Sequence, residues 1–216
     1  MTTEIRDPQG FLKALSRMGI RTYVSGKPKE MTLEELAGRV ATCTRCGLGK
    51  SRWNAVFGEG NERAELLFVG EAPGEEEDMQ GRPFVGRAGK LLDHLIEKIG
   101  LSRNDVYICN VLKCRPPNNR DPEAVEAEAC ESYLRSQIEI VRPLVICTLG
   151  RHAYNTLLKK DERITKIRGT FTEYRGIKVL PTYHPSFLLR NQSAMKDAYE
   201  DMEKLKAFLG QIEEGG

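Results

Sequence analysis

Leu66-Leu67-Phe68-Val69-Gly70-Glu71-Ala72-Pro73-Gly74 decides the fold of this 216-residue chain. Four apolar residues in a row have the length of a buried strand, and the Gly-Glu-Ala-Pro-Gly that follows turns the chain out of it. Further along, apolar spacing from Ala88 through Leu91, Leu92, Leu95, Ile96 and Ile99 predicts a helix closed by Gly100. Val106–Leu112 is a second strand. Asp121-Pro122 has the form of a helix start, a capping side chain and then proline at the first helical position, for a helix to about Val141. Leu144–Leu149 is a third strand, followed by a helix over His152–Leu158. Phe171–Tyr174 and Ile177–Leu180 flank Arg175-Gly176 as a hairpin, and a last amphipathic helix covers about Ala194–Leu209. Alternation of this kind predicts an α/β fold, a single domain with a central, mainly parallel four-stranded sheet flanked by helices. In such sheets functional groups gather at the carboxyl ends of the strands. Gly70–Asp78, Asn110 and His184 occupy those positions here.

Upstream, Thr32 and Glu35 can form a capping box for a helix that runs into Cys43. Residues 1–30 read as a polar extension with a short amphipathic helix near Gly10–Met18 and a loop at Ser25–Pro28. The expected division is an extension over 1–30, a domain over 31–210 and a tail over 211–216.

A hydrophobic content of 40% and a charged content of 30% describe a globular chain with enough residues for a sizeable core. Disordered and disulfide-stapled classes are excluded. No run reaches the roughly 18 apolar residues of a membrane span. The first residues, MTTEIRDPQG, contain no apolar secretory core, so a cytoplasmic location and no membrane partner are expected.

Net charge is +2, but its distribution is uneven. Gly150–Arg190 carries nine Lys/Arg against three acids, whereas Asn191–Gly216 carries three Lys against six acids. The basic stretch suits either a phosphate backbone or a solvated face.

Six cysteines in a reducing compartment are not expected to pair as disulfides. Cys109 and Cys147 sit in strand-like runs and read as core. Cys43 and Cys46 form a CxxC in a polar, glycine-containing segment, either redox-active or half of a metal site. With Cys114 and Cys130 they offer four thiolates for zinc or for an iron–sulfur cluster.

The remaining chemistry lies in short motifs. Glu75-Glu76-Glu77-Asp78 is either a solvated acidic loop or the source of a carboxylate aimed into a cleft. The turn before it lacks the lysine of a phosphate loop and the GxGxxG spacing, which excludes nucleotide binding. Phe84 lies between glycines (GRPFVGRAG), where a ring can stack on a planar ligand or simply join the core. Asn110 is a polar residue in an apolar run: a turn amide, or one placed to read a base edge. His184 in Tyr-His-Pro-Ser follows a strand and precedes Phe187-Leu188-Leu189-Arg190. An apolar wedge beside a basic residue suits insertion into a duplex.

Together, GEAPGEEED, GRPFVGRAG, NVLKCRPPNNRDP, the cysteine at 130 and PTYHPSFLLR resemble the family 4 uracil-DNA glycosylases, which carry a four-iron–four-sulfur cluster. The resemblance covers about Thr32 to Arg190, with the motifs in order and spacing. It implies a repair enzyme that flips uracil from DNA and hydrolyses its N-glycosidic bond, leaving an abasic site and free uracil. The competing class is a non-catalytic, metal-stabilised nucleic-acid-binding protein. By resemblance, Cys43, Cys46, Cys114 and Cys130 are cluster ligands. Gly70, Glu71 and Ala72 face the uracil, Phe84 stacks on it, and Asn110 reads its Watson–Crick edge. Glu77 holds the attacking water, with Glu71 and Asp78 as further candidates. His184 lies beside uracil O2, and Leu188 or Leu189 enters the DNA stack. Ala72 stands where the best-known branch of the superfamily has Asp. The KRRIH insertion of a covalently reacting branch is absent between Asn110 and Arg115. The implied partner is uracil-containing DNA, single- or double-stranded, bound by a monomer.

Overall fold

In the computed structural model the backbone is described over residues 31–215 and side chains through Gln211; the expected Gly10–Met18 helix and Ser25–Pro28 loop lie outside these residues. Thr32–Gly216 forms one compact unit. Its centre is a six-stranded sheet of β1 (Glu59–Gly60), β2 (Leu66–Gly70), β3 (Tyr107–Asn110), β4 (Val145–Leu149), β5 (Thr172–Tyr174) and β6 (Ile177–Thr182), in the order β1-β3-β2-β4-β6-β5. The inner four, β3, β2, β4 and β6, are parallel, as the apolar runs predict. Every residue of β2, β3 and β4 is buried, the pattern of strands covered on both faces. The additional strands are antiparallel edges. β1 is two residues long, too short to stand out in sequence. β5 is the expected hairpin partner of β6, and Arg175 and Gly176 both take positive φ (51° and 85°), as a tight hairpin turn requires.

Eight α-helices surround the sheet among the described residues: α1 (Leu33–Ala41), α2 (Glu75–Gln80), α3 (Arg87–Lys98), α4 (Ala124–Val141), α5 (Arg151–Leu158), α6 (Ile164–Ile167), α7 (Pro185–Arg190) and α8 (Met195–Gly215). None is long and apolar enough to cross a membrane. Thr32 caps α1 as expected: its hydroxyl accepts from Glu35 N–H at 3.1 Å, and the Glu35 carboxylate accepts from Thr32 N–H at 3.1 Å.

Three boundaries differ from the sequence reading. The acidic run is a helix, not a loop. Gly74 begins α2, Gly81 (φ 71°) ends it, and all four acids fall in its first turn, where the helix dipole favours negative charge. α4 starts at Ala124 rather than at Pro122, because Glu123 and Glu126 form their own capping box and Arg120 grips the Glu126 carboxylate at 2.6 and 2.9 Å. Asp121 is thereby released from capping. α8 continues past Leu209 to Gly215.

From β2 the chain connects to β3 on one side, whereas β4 and β6 lie on the other. A crevice therefore opens at the carboxyl ends of β2 and β4, where connections diverge.

Candidate active site and four-cysteine cavity

A cleft of about 640 Å³ occupies this crevice. It is lined by the turn after β2 (Glu71 to Gly74), Glu77 of α2, Phe84, Asn110 at the end of β3, and His184 after β6. Segments 110 residues apart in sequence thus meet because parallel strands deliver their carboxyl ends to one edge.

Gly70 is the floor. A Cβ there would lie 2.6 Å from Phe84 Cζ and would strike the Asn110 side-chain oxygen. Only glycine admits both groups. Phe84 takes φ 52°, a left-handed conformation uncommon for an aromatic residue. Arg103 holds that bend, donating to the carbonyls of Pro83 and Phe84 while ion-paired with Glu59 and Asp93 at 2.6 and 2.8 Å. A side chain at Gly89 would collide with the Phe84 carbonyl, so the next helix must pass close by. The Phe84 ring ends 5.7 Å from the His184 ring, centroid to centroid.

Asn110 is 2% exposed, and its Oδ1 has no hydrogen-bond partner. His184 Nδ1 accepts from Ser186 N–H at 3.1 Å and lies 2.7 Å from Ser186 Oγ. Burial, reinforced by the charges of Arg190 and His152, pushes the imidazole pKa down to about 4. The ring is therefore neutral near pH 7, with its proton on Nε2.

The acids divide by position. Glu77 lines the cleft, its carboxylate folded back over Gly74. Glu71 also lines the cleft, at a rim where Asp121 and His152 meet, with His152 Nε2 3.3 Å from Asp121 Oδ2. Burial raises the Glu71 carboxyl pKa, opposed by His152 and Arg151. Asp78 is elsewhere. It is 3% exposed, and its Oδ1 accepts from the Trp53 and Asn54 amides at 3.1 and 3.3 Å, so it is spent on anchoring that segment. Glu75 reaches Arg115 at 3.4 Å, and Glu76 leans over Gly86 at the N-terminus of α3.

The leucine pair also divides. Leu188 is 1% exposed and packs in the core, so it is corrected from a candidate for insertion to a core residue; Leu189 is 36% exposed. Both lie on α7.

The basic excess over Gly150–Arg190 does not form one face. Lys159, Arg168, Arg175 and Lys178 are ion-paired, and only Arg151 and Arg190 of that stretch line the cleft. Arg120, Asp121 and His152 line it too and were not singled out from sequence. The Arg115–Asp121 segment carries the signal for Arg120 and Asp121, a polar, proline-rich run after a strand; His152, in the first turn of α5, has none.

Away from the cleft, Cys43, Cys46, Cys114 and Cys130 line one small cavity with Arg52, Lys113 and Tyr133. All four are free thiols, and burial raises Cys114 and Cys130, the latter to about 11. Arg52 donates to Cys114 Sγ at 2.9 Å and to the Ala41 carbonyl at 2.6 Å. Among the described residues the one trio of Cys, His, Asp or Glu ligand atoms mutually within 4.8 Å is Glu71, Asp121 and His152. Cys109 and Cys147 have no exposed surface and belong to the core, as expected.

Residues 57–206 match the Uracil DNA glycosylase superfamily. A Type-4 uracil-DNA glycosylase of Saccharolobus solfataricus is 53% identical over 186 residues, 82% of this chain and 86% of its own. One of Thermotoga maritima is 51% identical over 185 residues, 84% of this chain and 96% of its own. A Type-5 uracil-DNA glycosylase of Pyrobaculum aerophilum is 34% identical over 144 residues, 59% of this chain and 63% of its own. With the parallel sheet and the cleft at its switch point, these matches show that the chain belongs to the uracil-DNA glycosylase superfamily.

Proposed function

We propose that this chain excises uracil from DNA by hydrolysing the N-glycosidic bond, as a monomer in the cytoplasm. One observation carries the reading: a buried amide oxygen, Asn110 Oδ1, without a partner, beneath a phenyl ring in an open cleft. An unsatisfied buried acceptor costs roughly 1–3 kcal/mol. A ligand N–H removes that cost, and uracil N3–H is such a donor. Asn110 Nδ2 then donates to O4. Cytosine has no N3–H and an amino group at C4, so it mismatches both contacts. Phe84 stacks on the extruded base, and Gly70, Glu71 and Ala72 form the turn against its edge.

Bond breaking sends the C1′–N1 electron pair onto uracil, whose O2 accepts from His184 Nε2–H. A neutral donor suits this role because it stabilises charge that appears only as the bond breaks. Water held by Glu77 bonds to C1′, and its proton passes to the carboxylate. Glu71 is the second candidate for that water. Asp78 is not, since its oxygens face Trp53 and Asn54. Leu189, exposed beside Arg190, fills the space the base vacates, while Arg120, Arg151 and Arg190 meet phosphates.

Cys43, Cys46, Cys114 and Cys130 would hold a four-iron–four-sulfur cluster. The donor set is sulfur alone, four cysteines around one cavity, which is the ligand chemistry of such a cluster. When bound, the cluster is a structural tie between the segment after α1 and the loop after β3. The test is incubation with a uracil-containing oligonucleotide followed by alkali. Strand scission with release of free uracil is expected; binding without scission would leave a non-catalytic DNA-binding protein.

A further inference from the structure

Phe84 holds its ring in the cleft from an unfavourable backbone conformation. At φ 52° a side-chain-bearing residue is crowded against its own main chain, and the surrounding structure has to hold the bend.

The holding groups come from separate elements. Arg103, between α3 and β3, donates through one guanidinium to two successive carbonyls, those of Pro83 and Phe84, the latter at 3.2 Å. The same fork is fixed by Glu59 of β1 at 2.6 Å and by Asp93 of α3 at 2.8 Å. Glu59 in turn accepts from Arg82 at 2.7 and 3.1 Å. Glu59 thereby grips the chain on both sides of Pro83, directly at Arg82 and through Arg103 at Phe84. A guanidinium suits this task because its donors lie in one rigid plane and can serve carbonyls and carboxylates together. Arg103 and Glu59 are largely shielded, with side chains 19% and 22% exposed, so their pairing is worth more than one in open solvent.

Arg103 does not line the cleft; its route to the cleft is the Phe84 main chain. The direction of the Phe84 carbonyl sets the backbone bend, and the bend sets where the ring points. The ring meets the cleft floor at Gly70, where an added Cβ would lie 2.6 Å from Phe84 Cζ.

We propose that Arg103, anchored by Glu59 and Asp93, is a positioning residue for base recognition, fixing the Phe84 backbone in the bend that presents the ring to the extruded base. This rests on the reading of Phe84 as the stacking residue. The network meets the strain before a ligand arrives, so the ring is presented without rearrangement and the base binds to a preformed platform.

The test measures inhibition of uracil-oligonucleotide cleavage by free uracil in the parent, Phe84→Ala, Arg103→Met, Arg103→Lys and the double variant of Phe84→Ala with Arg103→Met. The inhibition constant does not depend on how much of the enzyme is active, so a variant that is only less stable keeps the parent's value. Phe84→Ala loses the stacking face and should raise the constant about tenfold. Arg103→Met should raise it about threefold or more. Arg103→Lys should raise it about twofold, since an ammonium keeps the charge but lacks the planar fork. With the ring gone there is nothing to direct, so adding Arg103→Met to Phe84→Ala should change the constant by less than roughly twofold. If Arg103→Met does not fold, Arg103→Lys decides by the same comparisons, with and without Phe84→Ala. An unchanged constant in the folded Arg103 variants, or the same loss with the ring absent, overturns the proposal while leaving stacking by Phe84 intact. An unchanged constant in Phe84→Ala overturns the stacking reading and the proposal together.

Discussion

Asp201 and Asn110 are both buried polar residues near the carboxyl edge of the sheet, and the fold treats them oppositely. The Asp201 carboxylate has no exposed surface; Arg168 donates to it at 2.7 and 3.0 Å and the Thr182 hydroxyl at 2.8 Å. Arg168 also donates to the Asp197 carbonyl, and Lys204 to the Gly169 carbonyl at 2.7 Å, so the clamp joins α8 to the end of β6. Asn110 Oδ1 has no partner at all. A satisfied network stabilises and positions; an unsatisfied buried atom beneath a cleft stores a cost that a ligand relieves. The clamp lies two residues before His184, so the stable region holds the reactive one in place.

The largest expected effect is on the reactive side. Glu77→Gln and His184→Ala should each lower single-turnover cleavage by about 10²–10⁴-fold while uracil-DNA affinity stays near the parent's, because both groups act in the transition state. A loss below roughly tenfold for Glu77→Gln would pass the water to Glu71, and Glu71→Gln would then show the large effect. Asp78→Asn should act differently, lowering stability through the Trp53–Asn54 segment.

Next comes the clamp. Asp201→Ala strands the Arg168 guanidinium and should cost about 3–5 kcal/mol in denaturant unfolding, with cleavage retained at a temperature where the variant is folded. If Asp201→Ala unfolds like the parent but cleaves poorly, the contrast between the two regions is wrong.

Asn110→Asp should weaken uracil cleavage and relax choice toward cytosine, whose amino group the carboxylate can accept. A base-edge contact is worth about 1–3 kcal/mol, or roughly ten- to hundredfold, read from kcat/KM on the two oligonucleotides. Unchanged uracil kinetics would make Asn110 a turn residue.

The smallest effect concerns pH. The His184 pKa is about 4 in the folded chain and ordinarily near 6.5, so its contribution to stability is full above 6.5 and is lost as pH falls from about 6.5 to about 4. Between pH 7 and 4.5 the parent should lose on the order of 1 kcal/mol more stability than His184→Gln, seen in the pH dependence of Tm. Parallel Tm curves would show that the ring titrates as it would in water.

Much of the site was legible because its signals are local. The inner strands are unbroken apolar runs, and period and length suffice to mark them. Gly70 and Gly74 bracket a turn that follows one, and Asn110 and His184 are polar residues at the ends of two more. The resemblance of the motif set then assigned roles that residue types alone left open. Signals that depend on competition between partners were not legible. Asp121-Pro122 is a good helix start in isolation, but Glu123, Glu126 and Arg120 form a better one two residues on, which frees Asp121 for the rim. Four acids in a row read as a loop until α2 placed them at a helix N-terminus. Arg103 stands 19 residues from Phe84, and its direction toward that carbonyl has no local mark.

The sequence by itself determined the order of elements, the parallel inner sheet, the burial of Cys109 and Cys147, and the set of residues from which the cleft is drawn. These follow from hydrophobic periodicity and turn chemistry, which act between near neighbours. Tertiary structure alone decided which members of adjacent pairs face the cleft. Glu77 looks in and Asp78 looks away; Leu189 is exposed and Leu188 is core. On a helix adjacent side chains point about 100° apart, and only docking of that helix against the sheet chooses which direction meets ligand and which meets protein.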